Sequence, residues 1–284
     1  MEIENDEPWN LVIKPKTGLL EINFKELWQY KDLVFLFVRR DFVALYKQTI
    51  LGPLWFLIQP LLTAITFTVI FSKVAKIPTS GIPPMVFYMS GLVMWNYFST
   101  CLSKTSNTFI TNASIFGKVY FPRLVVPISD TLTNFISFGI QFALFVALIL
   151  VHYFMGYAIQ PNWYILLFPV LLVILAGLGL GFGIIFSSLT TKYRDLTFLI
   201  SFGVQLAMYA TPVIYPMANI PEDYRAVLWF NPMAPVIETF RYGLFSSGSF
   251  DWLHLGYAFV FMLVTLFTGI ILFNKVEKNF MDVI

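Results

Sequence analysis

Six apolar stretches punctuate the chain, at 51–72, 85–103, 128–153, 163–190, 196–217 and 252–273. A helix needs roughly 20 mainly apolar residues to cross the hydrocarbon core of a bilayer, and each stretch meets that length. The third and fourth are the most sharply defined. Between Arg123 and Lys192 there is no Lys or Arg, and a turn-like GYAIQPNW divides the run. The second stretch is the least apolar, since MSGLVMWNYFSTC carries Asn96 and Ser99 at membrane depth. Upstream, Phe24 to Lys47 alternates at helical spacing. Leu27, Trp28, Leu33, Val34, Phe37 and Val38 are expected to face lipid, while Lys25, Gln29, Lys31 and Asp32 face water, as in an amphipathic helix lying in the membrane interface.

Between the fifth and sixth stretches, residues 220–250 are broken by prolines. Pro221 predicts a short helix from Glu222, Asn231-Pro232 breaks it, and Pro235 can open another. Neither is long enough to cross, so two short re-entrant helices dipping into the outer leaflet are expected, against the alternative of an outer loop lying flat on the membrane. Glu238 and Arg241 sit one turn apart and can pair, which makes them candidates for an outer gate. The predicted fold is therefore an all-α integral membrane protein. It divides into an N-terminal segment with the interface helix (1–50), a six-span domain (51–273) and a short tail (274–284).

Composition agrees with this pattern. Of the 284 residues 58% are hydrophobic and only 12% charged, well above the roughly 45–50% apolar content of soluble domains. Six spans place both termini on one side. That side carries 14 Lys and Arg and the other side 4, so both termini are expected to be cytoplasmic. The first fifty residues mix acidic and basic side chains and lack an apolar core, so they are not expected to be a cleaved signal peptide. No basic run points to nucleic acid. With Cys101 as the one cysteine, an intrachain disulfide is excluded.

The charged residues gather on the cytoplasmic connections. Arg39, Arg40 and Asp41 precede the first span, and membrane anchoring accounts for the basic pair but not for the interleaved Asp41. In the second connection, Phe116, Tyr120 and Phe121 form an apolar knob beside Lys118 and Arg123, on a frame stiffened by Pro122 and Pro127. In the fourth, Tyr193 precedes the adjacent opposite charges of Arg194 and Asp195. Exposed aromatics on a stiff frame suit an interface, with a solvated turn as the alternative.

These residues carry a resemblance. IKPKTG, ELWQYKDL and RRDFVALYKQTILGPLWFLIQP, then KVYFPRLVVP, TTKYRDLTFLISFGVQLAMYATPVIYP and NPMAPVIETFRYGLF, are similar in order to blocks of the permease subunits of bacterial ATP-binding-cassette exporters for O-antigens, capsules and teichoic acids. The resemblance implies a transport subunit of the inner membrane, not an enzyme, that pairs with a second copy of itself. It further implies two copies of a separate ATPase, which binds ATP and Mg, and an undecaprenyl-linked glycan as substrate. This chain has no G-x-x-x-x-G-K-[ST] phosphate loop and no expected cofactor or metal of its own. The interface helix and connections, from Arg39 to Asp41, Phe116 to Arg123 and Tyr193 to Asp195, would dock and couple the ATPase. An exporter of drugs or lipids is the alternative within the same class. A multi-span glycosyl- or acyltransferase would need a constellation of His or carboxylates, and only Asp130 lies near a span. A scaffolding membrane protein is the remaining reading.

A sugar chain in transit needs hydroxyl partners and flat apolar faces. On the first span Trp55, Gln59, Thr63 and Thr66 share one helical face, and on the fifth Ser201, Gln205 and Tyr209 do so before Pro212, expected to kink the helix. Trp95 and Asn96 lie near the middle of the second. These residues are the expected channel lining, with hydrogen bonding between helices as the alternative. A stripe on the third span, Asp130, Asn134, Ser137 and Gln141, is ambiguous, because Asp130 at the helix start is expected to cap it.

Overall fold

A computed structural model describes residues 24–47 and 52–283, and all regular structure among them is helical. The segment before Phe24, with its IKPKTG motif, lies outside the described residues. The interface segment forms α1 (Phe24–Gln29) and α2 (Lys31–Tyr46). A helix then stands at each of the six apolar stretches. They are α3 (Trp55–Phe67, continued by a π-helical segment Thr68–Val74), α4 (Pro84–Thr105), α6 (Val125–Phe154), α7 (Phe168–Thr190, entered through a 3-10 turn Trp163–Leu167), α8 (Leu196–Tyr209) and α11 (Trp252–Val283). Between them lie α5 (Thr108–Phe116), α9 (Glu222–Trp229) and α10 (Met233–Phe245).

Four of these helices are long and apolar enough to cross a membrane, over Trp55–Val74, Val125–Phe154, Trp163–Thr190 and Trp252–Glu277. The other two fall short for different reasons. Helix α8 has 14 residues, about 21 Å at the helical rise. Pro212 does not kink it, as the sequence suggested, but limits it: the helix ends three residues earlier, where the proline ring would begin to crowd the preceding turn. Helix α4 is long enough at 22 residues, but its polar residues lower its hydropathy.

Helix α4 is nonetheless the centre of the bundle, and 15 of its 22 residues are buried. Pro83-Pro84 sets its start, with a proline in the first turn where no amide is needed. It packs against α3, α6, α7, α8 and α10. The glycine-rich run of α7 permits a close approach to α4. A Cβ at Gly179 or Gly183 would lie 2.7 or 2.5 Å from the Cβ atoms of Cys101 and Thr105 on α4. On the other face, a Cβ at Gly177 would meet Met262 of α11 at 2.4 Å. Small residues thus let three helices approach to backbone distance, the device expected of GLGLGFG.

The two ends of the bundle differ. At one end α2, α5, the start of α6 and the end of α11 share a second apolar cluster of Val34, Phe37, Phe109, Phe116, Phe121, Val125 and Phe273. Phe109 stacks on Phe273 with centroids 4.5 Å apart. Helix α11 runs to Val283, ten residues past the predicted span end. At the opposite end the connections are tied together. Asn162 Nδ2 donates to the Tyr242 carbonyl (2.8 Å), Ser246 Oγ to the Gln160 carbonyl (2.7 Å) and Ser247 Oγ to the Ser80 carbonyl (3.0 Å).

Candidate functional site

A cavity of about 330 Å³ opens between α3, α4 and α6. Helix α3 contributes Trp55, Phe56, Gln59 and Pro60. Helix α4 contributes Asn96, Ser99, Thr100 and Lys104, which recur at three, one and four residues and so share a face. Helix α6 contributes Asn134, Ser137 and Gln141, one turn apart from each other. Asn96 Nδ2 donates to Gln141 Oε1 at 3.1 Å across the groove. Asn134 is 2% exposed, and its Nδ2 reaches Cys101 Sγ at 3.7 Å while its Oδ1 has no partner among the described residues. Three polar stripes on three apolar helices therefore meet at one place.

The structure sorts the predicted channel residues. Trp55, Gln59 and Asn96 line this groove. Thr63 and Thr66 do not, and their hydroxyls donate to the carbonyls of Gln59 and Leu62 one turn back (2.9 Å each). Trp95 points to the other side of α4, into a separate apolar cavity of about 550 Å³ bounded by Phe98, Phe182, Phe186, Ile200 and Met233. Gln205 and Tyr209 are exposed on α8 and turned away from that cavity. Of the ambiguous stripe on α6, Asn134, Ser137 and Gln141 line the groove and Asp130 does not. Asp130 is not a cap, because α6 begins at Val125 and places Asp130 in its second turn. Sequence reasoning missed Lys104, Ser99 and Thr100; the helical spacing from Asn96 was the signal that could have found them.

Glu238 and Arg241 do pair, with Nη1 to Oε1 at 3.7 Å and both side chains 2% exposed. Around them, Arg241 Nε donates to Ser90 Oγ (3.1 Å), Nη1 to the Pro212 carbonyl, and Nη2 to the carbonyls of Val213 (2.8 Å) and Phe87 (3.3 Å). The guanidinium also lies 3.8 Å from the Phe87 ring centroid. Glu238 Oε1 accepts from the Met217 amide at 3.4 Å. Gly91 makes room for this arrangement: a Cβ there would fall 2.7 Å from Arg241 Nη2. The pair knots α4, α10 and the turn after α8 into one body.

The predicted coupling residues are split by burial. Phe116 and Phe121 do not form an exposed knob. They are 4% and 5% exposed, and Phe121 packs edge-on to Phe37 of α2 at 5.7 Å. Large rings on a short connection are buried where two helices can cover them, a fact of packing invisible to local sequence. Tyr120 is 52% exposed beside the exposed Lys118, and Tyr193, Arg194 and Asp195 are exposed on the turn between α7 and α8. Arg123 donates to the Glu277 carbonyl at 3.0 Å, and burial lowers its pKa against the opposing influence of Glu277. On α2, Val34 and Phe37 face the protein and not lipid, leaving Phe35 and Leu36 exposed, as is Trp28 on α1. Arg39 and Arg40 are exposed, and Arg40 Nε pairs with Asp41 Oδ1 at 2.7 Å.

Residues 32–245 match the model of the ABC-2 type transporter. The chain belongs to this family. The match begins in α2 and ends at the last residue of α10, so the groove, the Arg241 knot and both turns of the coupling end fall within the ABC-2 region. Among curated proteins, the chain is similar to an O-antigen export system permease protein RfbA of Klebsiella pneumoniae, 30% identical over 89% of this chain and 95% of the relative. A protein of the same name from Myxococcus xanthus is 30% identical over 76% and 82% of the two chains. The polysialic acid transport protein KpsM of Escherichia coli is 25% identical over 80% and 87%. Membership of the ABC-2 family and the four long apolar helices make this a multi-pass membrane protein.

Proposed function

We propose that the chain is the channel-forming permease subunit of an ATP-driven exporter that moves lipid-linked polysaccharide of the O-antigen, capsule or teichoic-acid type from the cytoplasm across the bacterial inner membrane. The relatives named for O-antigen export and polysialic acid transport supply the substrate class. The observation that carries the reading is the groove itself. Amides, hydroxyls and an indole gather between helices that are otherwise apolar, and lone polar groups at membrane depth are costly and face protein, water or substrate. Trp55 offers a flat face and Asn96, Gln141 and Gln59 offer hydrogen bonds, without a cluster tight enough to hold a moving polymer.

In this reading all six long stretches cross the membrane, α8 completing its passage through the turn that Arg241 holds. The charge bias puts α2, α5 and the tail on the cytoplasmic side, and α9 and α10 in the outer leaflet. Two copies enclose the passage, since one six-helix unit leaves too little surface around a polymer-sized pore. Two copies of a separate ATPase, holding ATP and Mg, dock below on Tyr120, Lys118 and the Tyr193 to Asp195 turn. Glu238 and Arg241 act as the fixed frame of the outer gate and not as its moving part.

The apolar cavity beside Trp95 favours a second reading, extrusion of a drug or lipid. Analysis of the undecaprenyl-linked glycans in cells lacking this chain separates the two. Accumulation of completed glycan on the cytoplasmic side supports polysaccharide export. Normal surface glycan with increased sensitivity to apolar compounds contradicts it and supports the alternative.

A further inference from the structure

Lys104 lies in the last turn of α4 and borders the groove, where it is only partly exposed. A lysine at a helix C-terminus offsets the helix dipole and anchors a span, which accounts for a cation at this height but not for its opening onto the polar cavity. Among the described residues, Lys104 makes no hydrogen bond or ion pair. The acidic group that interacts electrostatically with it is Asp130 on α6, which also feels Arg40 and Asp41 on α2. Arg40 and Asp41 satisfy one another, and Asp130 is not among the residues that line the cavity. On the same cavity, the buried Oδ1 of Asn134 has no donor. A buried amide oxygen without a partner loses its hydration without recompense. Among the described residues, the groove thus holds a cation without a hydrogen bond or ion pair, beside a wall in which the buried Asn134 Oδ1 lacks a donor.

We infer that this groove is a binding site for a sugar carrying an anionic oxygen group, with Lys104 holding the anion and Trp55 covering the ring face. The inference rests on the polysaccharide-export reading and narrows it to a place and a charge. A compact ammonium suits a phosphate or carboxylate oxygen as a point charge. The anion can come from the phosphate that joins the glycan to its lipid or from an acidic sugar within the glycan. Both present the same chemistry to Lys104.

The test uses the chain assembled with its ATPase in lipid nanodiscs, with Cys101→Ser and a reporter cysteine at the exposed, cavity-lining position 100 (T100C). Protection of that thiol from a water-soluble maleimide is titrated with farnesyl diphosphate, with a glucuronic acid trimer and with maltotriose. At least one anionic probe protects at lower concentration than maltotriose. Lys104→Gln weakens that protection about tenfold, as expected for loss of a charge-assisted hydrogen bond, whereas Lys104→Arg retains most of it and maltotriose is unaffected by either. Preference for farnesyl diphosphate assigns the anion to the lipid linkage, and preference for the glucuronate trimer assigns it to the glycan. Equal protection by all three probes, or anionic protection unchanged in Lys104→Gln, overturns the inference. If Lys104→Gln changes nothing while cells lacking the chain still accumulate cytoplasmic glycan, the anion site falls and the proposed function stands. If the anionic probes protect but no glycan accumulates, the site stands and the polysaccharide reading falls.

Discussion

Two polar sites sit on the same central helix, and they are built on opposite terms. Around Arg241 every nitrogen of a buried guanidinium donates to a carbonyl or a hydroxyl, with the Glu238 carboxylate alongside as counter-ion. Around Asn134 and Lys104, half a helix away, an acceptor without a donor and a cation without a hydrogen bond or ion pair, among the described residues, stand beside an open volume. A closed polar network holds helices in one arrangement, and its value is structural. An incomplete one facing a cavity can be completed by something that comes and goes. The comparison separates residues that hold this protein together from residues free to handle a substrate, which charge and polarity alone do not do.

The largest expected effect lies in the closed site. Arg241→Leu leaves Glu238 buried without its partner, and losing one member of a buried pair costs about 3–5 kcal/mol. Little folded protein should be recovered from the membrane, and a double change of Glu238→Gln with Arg241→Met should restore part of the thermal stability in detergent. If Arg241→Leu melts like the parent while export stops, the pair is a gate and not a frame. At the coupling end the same logic divides neighbours. Phe121→Ala should destabilise by about 3–5 kcal/mol, as buried Phe truncations do. Tyr120→Ala should change stability by less than about 0.5 kcal/mol but reduce transport-stimulated ATP hydrolysis. Equal melting of the two variants would remove the distinction between cluster and dock.

Smaller effects sharpen the groove. Gln59→Leu should reduce export several-fold with the complex still assembled, which is read by quantifying surface glycan against the co-purified ATPase. Thr63→Val, four residues on, should leave export unchanged, since its hydroxyl already serves the Gln59 carbonyl. Equal loss in both variants would mean that α3 as a whole matters, and not the face that borders the cavity.

The helices and their order were legible in the sequence because lipid compatibility is written locally, in runs of about twenty apolar residues. Burial is not. Helix α4 is the least apolar of the six stretches and the one on which the bundle is built, whereas α8 buries only Ile200. A helix surrounded by protein can carry Ser90, Asn96 and Thr105 at little cost, so low hydropathy there signals a central position. The pairing of Glu238 with Arg241 followed from their spacing, and so did the break at Asn231-Pro232. Hidden from the sequence were relations between helices: that Gln141 would face Asn96, that Trp95 would turn away from Asn96, and that Phe37 would cover Phe121. Each depends on how α2, α4 and α6 rotate against one another, which no single stripe specifies.

Thiol accessibility tests the central claim, that the polymer passes along the groove between α3, α4 and α6. Cysteines are placed singly at 59 and 141 on the groove, and at 57, 61 and 143 on the opposite faces of the same helices, in a Cys101→Ser background with the ATPase present. The account predicts that 59 and 141 react with a small water-soluble thiol reagent during ATP turnover and are protected when substrate is supplied, while 57, 61 and 143 stay unreactive. Reaction at 57, 61 and 143, with 59 and 141 silent, would place the passage elsewhere and contradict it.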